Sequence, residues 1–128
     1  MSSEIRVIAV VQGKPGTADA IEQALLRCVA PSRAETGCLL YTPHRDLNRA
    51  DQFVFFERWA SREALAEHER TEHFKQLVRE LTPLVVKPLD VTILEALLDD
   101  GVRYIAARTW PSSTVAACGR RPLSRSAK

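Results

Sequence analysis

The stretch Gln52–Ala60, QFVFFERWA, decides the fold. Alternation puts Phe53, Phe55, Glu57 and Trp59 on one face and Val54, Phe56 and Arg58 on the other, so it reads as a β-strand with apolar groups on both faces. A strand of this kind has to be covered on both sides. Residues 5–12, IRVIAVVQ, repeat the pattern, with Ile5, Val7, Ala9 and Val11 on one face and Ile8 and Val10 on the other.

Between these two strands, Gly13-Lys14-Pro15-Gly16 breaks the first, and Thr17 stands where an N-cap belongs. Ile21, Leu25, Cys28 and Val29 then recur at helical spacing, which predicts a helix over 18–30 ended by Pro31. Thr36-Gly37 leads into a short strand, Cys38–Thr42, and the polar run 43–51 reads as a turn. Beyond QFVFFERWA, Ser61 caps a helix bearing Ala64, Leu65 and His68, and Thr71 caps a second with Phe74, Leu77, Val78 and Leu81. Pro83 ends it. The last strand is expected over 85–95, with Pro88 marking an edge position or a bulge.

The order β-α-β-β-α-β is the ferredoxin-like α+β pattern, a four-stranded antiparallel sheet with helices on one face. The other face needs a cover, and a second identical sheet supplies one, giving a dimeric α+β barrel with an enclosed pocket. This domain is placed at residues 4–97. Residues 98–128 form a basic tail, rich in Pro, Ser, Arg and Ala, that reads as disordered. The alternative is a docking arm built on 102–110 with Trp110 as its anchor.

Charge follows the same division. Residues 1–100 carry 12 basic and 16 acidic side chains, while residues 101–128 carry 6 basic and none acidic. The domain itself is mildly acidic, which argues against nucleic acid as a partner. No apolar run approaches the roughly 18–20 residues that span a bilayer, so no membrane association is expected. Three cysteines without CxxC spacing suit reduced thiols in a cytoplasmic protein. Five glycines form neither GxGxxG nor a P-loop, and no GxSxG elbow is present.

Phe55-Phe56-Glu57-Arg58-Trp59, followed by Leu65, His68 and His73-Phe74, resembles the antibiotic biosynthesis monooxygenase family, and within it the small quinol monooxygenases. The resemblance covers residues 5–96. It implies a homodimeric α+β barrel that oxidises phenols or hydroquinones with O2, using no metal, flavin or haem. The related haem-degrading branch has an Asn, a Trp and a His where this chain offers Ala9, His68 and Val78, so the resemblance does not extend to haem.

On that reading the catalytic candidates are His68, as a base for a phenolic hydroxyl, and Tyr41, as a hydrogen-bond partner. Phe55, Glu57, Trp59, His73 and Phe74 are the substrate-binding candidates, the aromatics making a flat apolar wall. Each has a plainer reading beside it. His68 can be a satisfied core histidine, Phe55 and Trp59 can be packing, and Glu57 can be half of a structural ion pair with an arginine across the dimer.

His68-Glu69 to His73 spells HExxxH. At about 100° per residue, the two imidazoles stand roughly 140° apart on an unbroken helix. A break at Thr71 would bring them together, but the sequence shows no third ligand, so neither metal nor other cofactor is expected. A non-catalytic small-molecule-binding barrel, an isomerase or ring-opening enzyme, and a purely structural dimer stay open as alternatives.

Overall fold

The computed structural model describes residues 3–98 of the chain. The tail, including 102–110 and Cys118, lies outside them. The elements are β1 (Ile5–Gln12), α1 (Ala18–Arg33), β2 (Cys38–Arg45), β3 (Gln52–Trp59), α2 (Arg62–Arg70), α3 (Glu72–Leu81) and β4 (Asp90–Leu94). The strands form one antiparallel sheet in the order β2-β3-β1-β4, the ferredoxin-like topology.

The alternation in β1 and β3 sets the register. Ile5 pairs with Trp59, and the pairing runs without a slip to Gln12 opposite Gln52. Ile5, Val7, Ala9, Val11, Phe53, Phe55, Glu57 and Trp59 therefore share the face beneath the helices, and all are buried. Ile21, Ala24, Leu25 and Cys28 of α1, with Leu65, Leu77 and Leu81, complete the core from the helical side. On the opposite face Ile8, Val10 and Val54 are half-buried, and Phe56 is exposed.

Helix α1 runs past Pro31 to Arg33. A proline in the last turn removes one backbone donor, yet Ala34 N still bonds Ala30 O and Glu35 N bonds Ser32 O, so the turn closes. Thr17 occupies the N-cap position without capping through its side chain, which instead donates to Lys14 O. Ser61 and Thr71 do cap, accepting from Ala64 N and Phe74 N. Strand β2 continues through Pro43 to Arg45, longer than its apolar core. The final strand is shorter than the apolar run. Val85 makes an isolated bridge to Gly13, and regular pairing with β1 begins only at Asp90, beyond Pro88.

Gly37 is required by close approach. A Cβ there would collide with Ala64 Cβ of α2, while Gly37 O accepts from Ala60 N. The turn after α1 is thereby pressed against the start of α2, and it carries Glu35 with it.

Candidate active site

His68 lies in the last turn of α2, and its side chain is 2% exposed. Four aromatic rings surround it. Trp59 lies at 4.6 Å between centroids, Phe74 at 5.0 Å, Tyr41 at 5.3 Å and His73 at 5.9 Å. Phe55 sits one layer deeper, 4.8 Å from Tyr41. The predicted site residues thus gather on the helix-covered side of the sheet, within one subunit. The apolar outer face is on the other side, so a pocket between two stacked sheets would not reach His68.

Thr71 breaks the helical run between the two histidines. Its backbone is extended, its hydroxyl donates to His68 O at 2.7 Å and accepts from Phe74 N at 3.2 Å, and it serves as C-cap of α2 and N-cap of α3. The chain turns there, and both imidazoles meet Glu35. One oxygen, Glu35 Oε2, is 2.8 Å from His68 Nδ1 and 2.6 Å from His73 Nε2. With each imidazole donating to the carboxylate, His68 carries its proton on Nδ1. Among the described residues nothing hydrogen-bonds His68 Nε2, so that nitrogen is the free acceptor. Burial pushes the His68 pKa down, and the Glu35 carboxylate opposes it. Glu35 is the member that sequence reasoning missed. It sits in a turn distant in sequence from both partners, and no periodicity marks it.

Tyr41 is committed elsewhere. Its hydroxyl donates to Cys28 Sγ at 3.5 Å, and burial, then Cys28, push its pKa up, so it stays a phenol. Glu57 is buried and accepts from its own strand neighbour, Trp59 Nε1, at 2.8 Å. Among the described residues this indole is its hydrogen-bond partner. Burial raises the Glu57 pKa to about 7, the indole pulls the other way, and the charges of Glu69 and Glu35 push it further up.

Beside this cluster an open groove of about 530 Å³ runs between α3 and β4. It is lined by Phe74, Val78, Leu81, Val85, Leu89 and Val91, together with Thr82, Lys87 and Pro88. Phe74 is the shared wall, facing the groove and lying against His68. Phe55, Trp59 and Tyr41 do not line the groove; they pack behind His68.

The sheet and helices make a ferredoxin-like α+β fold with a histidine-bearing aromatic cluster beneath the helices, and sequence comparison gives the family. The profile of antibiotic biosynthesis monooxygenases matches residues 4–80, and the chain belongs to that family. Rv0793 of Mycobacterium tuberculosis is 33% identical over 97 residues, which are 76% of this chain and 95% of that protein. Its solved structure superposes with a TM-score of 0.72, covering 77% of this chain and 99% of that one. PA3566 of Pseudomonas aeruginosa is 38% identical, with a TM-score of 0.72 over 77% of this chain and 98% of its own. A third solved structure, an antibiotic biosynthesis monooxygenase, is 32% identical, with a TM-score of 0.70 over 73% and 99% of the two chains. No helix among the described residues is long and apolar enough to cross a membrane.

Proposed function

We propose that this chain oxidises a small electron-rich aromatic, a quinol or polyphenol, with molecular oxygen and no bound cofactor, working as a homodimer. The observation that carries this reading is the apolar groove of about 530 Å³ whose wall, Phe74, backs onto a buried His68 held by Glu35. The groove takes an aromatic ring out of water. When Phe74 turns aside, His68 Nε2 is the acceptor for the phenolic proton. The phenolate passes one electron to O2, and recombination of the radical pair forms a carbon–oxygen bond to a hydroperoxide.

At a ring carbon bearing hydrogen, loss of water leaves a carbonyl, so one oxygen atom enters the product and the other leaves as water. At a carbon bearing hydroxyl, loss of hydrogen peroxide leaves the quinone. In both cases the substrate supplies the electrons. Quinols screened with an oxygen electrode, aerobically and anaerobically, test this. Oxygen uptake matched to quinone formation is expected. Saturable binding without uptake would make the domain a binding barrel, and product formed without oxygen would make it an isomerase or ring-opening enzyme.

The homodimer is supported by the outer face of the sheet, where Ile8, Val10, Val54 and Phe56 present apolar surface that no helix among the described residues covers. A second sheet of the same kind fits such a face. Phe56→Glu places a carboxylate there and is expected to give a folded monomer by analytical ultracentrifugation, where the parent is expected to sediment as a dimer. A dimer that survives the substitution would move the interface elsewhere.

A further inference from the structure

We propose that Glu35, His68 and His73 form a binding site for a divalent cation of the zinc or cobalt type, ligated by Glu35 Oε2, His68 Nδ1 and His73 Nε2. The three atoms come from the turn after α1, the last turn of α2 and the first turn of α3, and all lie within 4.8 Å of one another. Two imidazoles and a carboxylate around one point are a donor set for first-row transition ions and zinc. Magnesium and calcium prefer oxygen alone. In the sequence alone, an unbroken helix and a missing third ligand stand against a metal. The extended backbone at Thr71 removes the first, and Glu35 supplies the second.

The distances suit a site whose ion is replaced by shared protons. Glu35 Oε2 stands 2.8 Å and 2.6 Å from the two nitrogens. A tetrahedral ion with bonds of about 2.1 Å spaces its ligands by roughly 3.4 Å, so the two Glu35 contacts have to open by less than about 1 Å and the two imidazole nitrogens, within 4.8 Å of each other, to draw together by up to about 1.4 Å. His73 can give that movement, because its side chain is 24% exposed while that of His68 is 2% exposed. His73 also lines a cleft of about 330 Å³ between α1 and α3, with Arg27, Cys28 and Glu80, which is the side from which an ion would reach its imidazole.

An ion on Nδ1 leaves the proton of a neutral His68 imidazole on Nε2, so cation binding and use of Nε2 as a base exclude one another. The two readings fail separately: cation binding is measured without substrate, and oxidation is measured in the presence of a chelator.

The full chain, stripped with chelator, is titrated with Co²⁺ followed by visible absorption and with Zn²⁺ followed by calorimetry. One ion per chain and a tetrahedral cobalt spectrum are expected. Glu35→Gln and His73→Ala should each weaken binding by about tenfold or more. His44→Ala removes an imidazole from the opposite face of the sheet, where it stacks on Phe56, and should leave the affinity unchanged. Nitrogen-15 spectra of the unsubstituted protein decide the matter even if a variant misfolds, since Zn²⁺ should shift the His68 and His73 resonances and spare His44. Absence of saturable binding, an affinity indifferent to both ligand substitutions, or shifts confined to His44 would each overturn the proposal.

Discussion

His68→Ala is expected to lower the rate of quinol-dependent oxygen uptake by about 10²–10⁴-fold, the usual contribution of a positioned base. The expectation rests on orientation as much as on chemistry. Glu35 fixes the Nδ1 proton of His68, which leaves Nε2 as the lone pair. Burial favours the neutral imidazole, the form able to accept a proton. The alanine also leaves a cavity among Trp59, Tyr41 and Phe74, which destabilises the fold in its own right. His68→Gln separates the two effects, because it fills much of the volume and cannot act as a base at neutral pH. Both variants should lose turnover, while the glutamine variant keeps its unfolding transition close to that of the parent. Undiminished turnover in a folded His68→Gln protein would take His68 out of the chemistry and leave the groove with a binding role.

The sequence carried the sheet and its register because alternation in β1 and β3 is unbroken over eight residues in each strand. It carried the two short helices because Ser61 and Thr71 are good caps set before apolar-periodic segments. It did not say which face of β3 lies beneath the helices, since both faces are apolar and period-two patterning is then degenerate. That ambiguity turned a pocket beneath the helices into one between two sheets. The start of β4 differs from the expected Val85 for a related reason. Val85, Val86 and Leu89 look like strand residues, but Pro83 and Pro88 interrupt the pairing and turn that stretch into the wall of the groove.

Glu35 was illegible for a different reason. A carboxylate in a turn is usually solvated, and only the approach of Gly37 to Ala64 brings this one under α2. Long-range polar partnerships of this kind depend on tertiary packing, to which no local period points.

Glu57→Gln is expected to stabilise the protein by roughly 3 kcal/mol at pH 8 and to change little at pH 4. Burial on the helix-covered face raises the Glu57 pKa to about 7 from an ordinary value of 4.5. Below pH 4.5 the carboxyl is protonated in both folded and unfolded chains, and its titration costs nothing. As pH rises from there, the unfolded chain ionises first and gains stability relative to the fold. The loss is complete once pH has passed the folded value near 7. Glutamine removes that penalty and keeps an oxygen for the Trp59 indole, which now donates to Glu57 Oε1 at 2.8 Å. Urea titrations of both proteins at pH 4 and pH 8 measure the difference, with the midpoints expected to separate only at the higher pH. Equal separation at the two pH values would mean that the effect comes from packing, not charge. A glutamine variant less stable at pH 8 would mean that the ionised carboxylate finds a compensating partner in the folded protein.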